Sequence, residues 1–318
     1  MGVTPCIYTV ATDGVTLVPA FLQTGAGVQL ENCATEPNQP PPPVGILYHH
    51  DFRTQGDVLW TQMFQNNATT DATDGRRVTI TSGDRWGDNH RLRWWDAPGA
   101  SSANNAGIGT RQEVYQSFRF RMPANGMGAN ADNTGYDTKF GFGLFGLNPN
   151  KAENLVADGD NKLGAGDTWS LRVQGRAERN SASFYGEQPT GGPFAELYIY
   201  AYHAFGTLWT NNTRTSNWAI HRTINLNGAT WNPVAGVEYK ITLHAKMNDP
   251  GQNNGIARVY IDGVLGCEAT DVRFTEADDI PIDGTTCATF TNGGSQNEVW
   301  RFPEFWVHEH LGDEPGGS

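Results

Sequence analysis

The sequence predicts an all-β protein: a jelly-roll β-sandwich with long rim loops, preceded by a short N-terminal β-rich arm. Three observations carry that prediction. Apolar and polar residues alternate along several runs, most cleanly over 113–122 and 237–247, which marks strands with one buried face. No stretch keeps an amphipathic helical period beyond two turns. The 318 residues include 38 glycines and 17 prolines, enough to divide many strands by turns. Numerous strands without intervening helices make two packed sheets the natural architecture.

Residues 1–36 hold the short strand-like runs CIYTV, VTLVPAFLQ and VQLENC, divided by Asp13-Gly14 and Gly25-Ala26-Gly27. They are too few to bury a core alone. The stretch PNQPPPP from Pro37 to Pro43 reads as an extended polyproline spacer. Residues 1–44 are therefore expected to be an arm or attachment segment, and 45–318 the main domain. Its predicted strands are RVTIT (77–81), HRLRWW (90–95), EVYQSFRFRM (113–122), TKFGFGLFG (138–146), TWSLRVQG (168–175) and ELYIYAYH (196–203). They continue with WAIHRTINL (218–226), VEYKITLHAKM (237–247), IARVYIDG (256–263), CATFTN (287–292) and VWRFPEFWVHEH (299–310). Polar loops are expected at 62–76, 97–110, 124–137, 148–167, 178–193 and 204–217, where binding specificity usually lies.

Lys and Arg number 22 against 34 Asp and Glu, a net charge of −12. That balance argues against a nucleic-acid partner, which needs clustered cations. No run approaches the roughly 20 apolar residues of a membrane span, so no membrane partner is expected. The start MGVTPCIYTVATDG has no basic segment followed by an apolar one, so no signal peptide is visible. The four cysteines form two sequence-local pairs, Cys6 with Cys33 and Cys267 with Cys287. Three connectivities are open. Disulfides are favoured over thiols and would imply an oxidising location; each local pair would contribute about 3 kcal/mol. No CxxC or His-rich spacing marks a metal site, so no metal or cofactor is expected.

Three segments share one chemistry: Lys139 in DTKFGFGLFGLN, Ser170 and Arg172 in TWSLRVQG, and Tyr198 and Tyr200 in ELYIYAYH. The members of each pair are two apart, so on a strand they project from the same face. The alternate residues Trp169, Leu171 and Val173, like Leu197, Ile199 and Ala201, are apolar and read as the core face. A lysine, an arginine, a hydroxyl and two phenols on one sheet surface suit an anionic sugar. They are also the groups needed to remove a proton beside a carboxylate. A local basic stripe is compatible with an acidic protein, because a cleft focuses its own field.

The succession EVYQSFRFRMP, TKFGFGLFGLN, TWSLRVQGR and ELYIYAYH resembles the polysaccharide lyase family 14 domain in order and spacing. YKITLHAKMND, GIARVYIDGV, VRF and TFTNGGS extend the resemblance over roughly residues 110–310. It implies a jelly-roll enzyme that cleaves a uronic-acid-containing polysaccharide, such as alginate or glucuronan, by β-elimination. Lys139 aligns with that family's active-site lysine, Ser170 and Arg172 with its Ser-x-Arg strand, and Tyr198 and Tyr200 with its Tyr-x-Tyr strand. Thr138, Phe140-Gly141 and an insertion before Leu144 depart from the usual lysine segment. Phe290-Thr291-Asn292 replaces a double aromatic. These departures bear on substrate choice more than on fold.

The chemistry explains the residue types. Removing H5 of a uronate throws negative charge onto its carboxylate, so pre-positioned cations such as Lys139 and Arg172 stabilise the transition state by several kcal/mol, about 3 for one well-placed donor. Arginine can hold the carboxylate in a bidentate fork. A flanking cation lowers a phenol's pKa, so one of Tyr198 and Tyr200 serves as base and the other as acid to the leaving oxygen. Ser170 orients. Lys240, Thr242, His244 and Lys246 share one strand face, and Arg119 shares parity with Tyr115 and Arg121. Arg119, Lys240, His244 and Lys246 are thus substrate-binding candidates, either extending the groove along the same sheet or lying on its opposite side. His244 is an alternative base.

Two further readings use the same fold, the first a rival to the enzyme and the second partly compatible with it. One is a non-catalytic carbohydrate-binding module that keeps the groove without turnover. The other is a virion surface component, a phage decoration or tail protein, anchored to a larger assembly through residues 1–44. The corresponding location is extracellular or virion-associated.

Overall fold

The computed structural model describes residues 8–10, 17–19, 45–56, 61–81, 86–94, 106–123, 137–139, 141–147, 168–176, 196–202, 220–231, 233–275, 280–291 and 298–313. The chain divides into two compact units, Met1–Pro42 and Pro43–Ser318. In the first, β1 (Tyr8–Val10) pairs antiparallel with β2 (Leu17–Pro19).

The second unit is a β-sandwich. Its elements are β3 (Ile46–Asp51), α1 (Phe52–Gln55), β4 (Thr61–Asn66), β5 (Ala68–Asp71), β6 (Gly75–Ile80), β7 (Trp86–Arg93), β8 (Glu113–Arg121), β9 (Asp137–Lys139) and β10 (Phe142–Leu147). They continue with β11 (Thr168–Arg176), β12 (Glu196–Tyr202), β13 (Ile220–Thr223), β14 (Asn225–Leu226), β15 (Ala229–Thr230), β16 (Glu238–Lys246) and β17 (Gly255–Ile261). β18 (Val264–Val272), β19 (Gly284–Thr291), β20 (Glu298–Phe302) and β21 (Glu304–His308) complete it. One sheet, the front sheet below, runs β13-β12-β11-β10-β19-β7-β4, with β9 between β11 and β19. The back sheet runs β18-β17-β16-β8-β20-β6-β5, with β21 bridging β8 and β3.

Period-two patterning decides which face is buried. Phe142, Leu144, Trp169, Leu171, Val173, Ile199 and Ala201 from the front sheet meet Val114, Phe118, Phe120, Ile241, Leu243 and Ala245 from the back sheet in one core. Phe142 sits at its centre, 4.7 Å from Phe305 and 5.4 Å from Phe118 between ring centroids. One polar chain crosses this core. The Trp94 indole donates to Thr285 Oγ1 at 3.1 Å, and the Thr285 hydroxyl donates to Gln116 Oε1 on the facing sheet at 2.9 Å. Directional links of this kind favour one register of the two sheets.

Several expected elements need correction. The predicted loop 62–76 contains β4, β5 and the start of β6. β4 and β5 are edge strands, whose polar sequences TQMFQN and ATTD suit an edge and carry little apolar signal. β18, not predicted, is likewise an edge. The run 299–310 is two strands, broken at Pro303, because proline has no N–H for a ladder. Cys267 lies on β18 of the back sheet and Cys287 on β19 of the front sheet, and both are thiols. Packed sheets stand about 10 Å apart, beyond the about 7 Å Cα separation that a disulfide tolerates. Cys6 and Cys33 lie outside the described residues, as do most of the expected rim loops.

Candidate active site

β11 gives the front sheet its polar face. Trp169, Leu171 and Val173 are fully buried in the core, and the Trp169 indole donates to the Ile280 carbonyl at 3.2 Å. The alternate residues Ser170, Arg172 and Gln174 therefore project from the opposite face, and there they are only 1%, 6% and 3% exposed. A guanidinium so far from water exerts a stronger field than one on an open surface. Arg172 donates from Nη2 to Ser170 Oγ at 3.4 Å, so the serine hydroxyl lies beside the cation.

Register brings the other candidates to this face. Gln174 stands opposite Lys139 of β9 on one side and opposite Tyr198 of β12 on the other. Arg172 stands opposite Tyr200, which in turn stands opposite His221 of β13. Ser170 stands between Phe145 and Tyr202. Residues directly opposite in a ladder share a face. The sheet thus sets Lys139, Gln174 and Tyr198 in one row and Arg172, Tyr200 and His221 in the next. Adjacent strands are about 4.8 Å apart and alternate rows about 7 Å apart, so all five predicted positions fall within one small patch.

Two glycines in the lysine segment make this arrangement possible. From Leu144 opposite Leu171, an unbroken strand would set Gly141 opposite Gln174; the pairing sets Lys139 there instead. Two residues are therefore inserted at the break between β9 and β10. An even insertion preserves strand parity, and Lys139 takes the register position opposite Gln174. Gly141 has φ +73°, and a Cβ there would come within 2.5 Å of the Phe118 ring, so only glycine fits the break. At Gly143 a Cβ would stand 2.6 Å from the Leu171 carbonyl oxygen and 3.1 Å from Arg172 Cγ. The arginine stem thus lies over bare backbone. The break at Gly141 thus accompanies the shift in register that pairs Lys139 with Gln174.

The second group of candidates lies elsewhere. Arg119 on β8 and Lys240, His244 and Lys246 on β16 belong to the back sheet, on the face turned away from the core. They do not extend the front-sheet surface, and they sit among carboxylates. Arg119 is 3.1 Å from Glu304 and 3.6 Å from Glu238. Lys246 and His244 both meet Glu113, at 3.2 and 3.0 Å. Lys240 stands opposite Arg119, and its backbone N–H donates to Asp262 Oδ1 at 2.8 Å. His244 is 1% exposed and stacked on Tyr115 at 4.1 Å; burial pulls its pKa down, against the Glu113 bond. It lies on the outer face of the back sheet, and so does not share the front-sheet surface with Arg172 and Tyr200. Parity within a strand reports the face of that strand, not which sheet the strand joins.

Gln174 and His221 are among the residues at this patch that the sequence did not single out. Gln174 continues the parity of Ser170 and Arg172, a signal already present in TWSLRVQG. His221 needed the pairing of β13 with β12. Among the described residues, no three His, Cys, Asp or Glu side chains converge as metal ligands, and no helix is long and apolar enough to cross a membrane.

Residues 190–304 match the family model for polysaccharide lyase 14, so the resemblance read from the motifs holds over the segment that contains Tyr198 and Tyr200. No curated protein matches the chain by sequence. Among solved structures, the chain is similar to alginate lyase Aly36B, with 14% identity, a TM-score of 0.53, and coverage of 85% of this chain and 98% of that one. It is similar to alginate lyase vAL-1 from Chlorella virus, at 15% identity and TM-score 0.52, over 77% of this chain and 90% of that one. It is also similar to the marine PL-14 alginate lyase from Aplysia kurodai, at 16% identity and TM-score 0.52, over 77% and 87%. At these identities the likeness is one of fold.

Proposed function

We propose that this polysaccharide lyase 14-like domain cleaves a uronic-acid-containing polysaccharide by β-elimination on the outer face of its front sheet. The observation that carries the reading is the register, which sets Lys139 and Tyr198 on either side of Gln174 and Arg172 directly opposite Tyr200. Arg172 and Lys139 hold the uronate carboxylate and take up the charge that develops on it when H5 leaves. One of Tyr198 and Tyr200, as phenolate, accepts H5. The C5–H electrons form the C4=C5 double bond, the C4–O bond breaks, and the other phenol protonates the departing oxygen. Ser170, hydrogen-bonded to Arg172, holds the guanidinium in place. No covalent intermediate is needed.

The test is the appearance of the unsaturated, ultraviolet-absorbing product from alginate, glucuronan, hyaluronan or pectate. Absorbance should rise with at least one of them. A protein that binds one of these polymers yet gives no unsaturated product would be a carbohydrate-binding module instead.

A further inference from the structure

We infer that Gln174 is a substrate-positioning residue that accepts a hydrogen bond from a free secondary hydroxyl of the uronate, so that the site selects unesterified over O-acetylated polymer. The inference rests on the lyase reading above and deepens it.

Gln174 is 3% exposed, yet its Oε1 is buried with no hydrogen-bond partner among the described residues. A buried acceptor left unmatched is costly, by about 1–3 kcal/mol, and an orphan of this kind in a native structure calls for a ligand or a function. Its position supplies one. Gln174 lies in the row between Lys139 and Tyr198, one alternate position along β11 from Arg172. The cations in the patch are suited to the carboxylate, and an amide oxygen is not, since two acceptors cannot bond. What an amide oxygen matches is an O–H donor. A uronate ring held by its carboxylate presents such donors in its secondary hydroxyl groups. Acetylation removes the proton and adds bulk, leaving Oε1 unmatched in the complex. Sites built to bond a substrate hydroxyl reject an analogue lacking it far more strongly than apolar pockets reject a change of size.

The experiment is a cycle between protein and substrate. Wild type and Gln174→Met, which keeps the side chain's length and removes the acceptor, are assayed on the preferred uronan in de-acetylated and O-acetylated forms. kcat and KM are read separately, and binding is measured by calorimetry in parallel. On the free polymer Gln174→Met should lose about ten- to a hundredfold in kcat/KM. On the acetylated polymer it should match wild type within about twofold, because the partner proton is already gone. Equal losses on both polymers, or no loss on either, would overturn the inference. Gln174→Asn, which keeps an amide on a shorter stem, should retain part of the discrimination; should Gln174→Met not fold, discrimination reduced in Gln174→Asn relative to wild type still supports the role, and unchanged discrimination refutes it. If wild type gives no unsaturated product, the same cycle read as Kd keeps the two claims apart: coupling in Kd without turnover sinks the lyase reading and leaves the hydroxyl contact standing. Absence of both turnover and binding sinks both.

Discussion

The outer faces of the two sheets are built from similar residue types set in different surroundings. On the back sheet, cations and carboxylates alternate and neutralise one another. Arg301 and Arg121 share Asp74, at 2.7 and 3.4 Å. Arg121 and Arg119 share Glu238, and Arg119 and Arg53 share Glu304. On the front sheet, Arg172 is buried beside a serine hydroxyl, and a buried amide oxygen next along the strand has no partner among the described residues. A mutually neutralised network has spent much of its electrostatic attraction within the protein, whereas burial strengthens whatever field a charged group exerts. Counting basic residues along a strand therefore does not find a site. What those residues touch does.

The sharpest way to break this contrast is to remove cations from each face. Arg172→Ala and Lys139→Ala should each lower kcat/KM for elimination by about a hundred- to a thousandfold, as expected for loss of a group that stabilises developing charge. The fold should survive, because neither position is on the core face. Arg119→Ala should leave kcat/KM near wild type and cost roughly 1 kcal/mol of stability or less, since its pairs are partly exposed. Steady-state kinetics with thermal melts on the three variants decides the matter. Wild-type turnover in Arg172→Ala, or a collapse of activity in Arg119→Ala, would put the substrate on the other sheet.

A smaller effect tests which way the front sheet faces. Leu171 and Ile199 are fully buried on the core side of β11 and β12. Leu171→Ala or Ile199→Ala should destabilise the domain by about 2–5 kcal/mol through the cavity it leaves. A melting temperature unmoved by both would mean that Ser170, Arg172 and Gln174 face the core instead.

These two experiments probe what was legible in the sequence. Alternation along 168–175 and 196–203 exposes both the core face and the polar face, because a strand repeats every two residues. The glycines around Lys139 were visible too, but their role was not. Whether Gly141 breaks the strand, and by how many residues, depends on β19 and β11 on either side. His221 and the back-sheet cations were illegible for the same reason: strand order is a tertiary fact, and β16 pairs with β8 and β17 rather than with β12. Cys267 and Cys287, only a loop apart in sequence, end on different sheets by the same logic. Polar edge strands escape notice because an edge needs few apolar residues.

The back sheet also offers a titration. His244 is packed against Tyr115, Glu113, Lys246 and Arg258. Burial holds its pKa below the usual 6.5, with Glu113 opposing and Arg258 and Lys246 adding to the depression. The unfolded chain therefore takes up this proton first, and the neutral histidine's contribution, present above pH 6.5, is lost as pH falls from there toward the folded value. Burial pulls the Glu113 carboxyl upward, but the bonds from His244 and Lys246 outweigh it and hold it below 4.5, so its contribution is lost only at lower pH. Denaturant midpoints measured between about pH 7 and about pH 5 should fall for wild type and fall less for His244→Gln. Parallel curves for the two proteins would show that His244 is not the titrating group.

The smallest expected effect belongs to the N-terminal unit, and its absence is the prediction. The chain divides at Pro42 and Pro43, within the proline-rich stretch of the sequence. Gly45 must stay with the larger unit. Its carbonyl accepts from the Glu309 N–H at 2.8 Å, and a Cβ at its φ of +96° would run into Asp313. The following residues pair with β21, His50 against Phe305 and Ile46 against His308. A chain starting at Pro43 should therefore melt within a degree or two of the full chain, on the order of 0.5 kcal/mol, and keep its activity on a uronan. What it should lose is any oligomer or attachment to a larger assembly made through residues 1–42, read by gel filtration and by co-sedimentation with virions. If the shortened chain is insoluble or melts without cooperativity, the arm contributes to the core of the sandwich, and the two units are one folding domain.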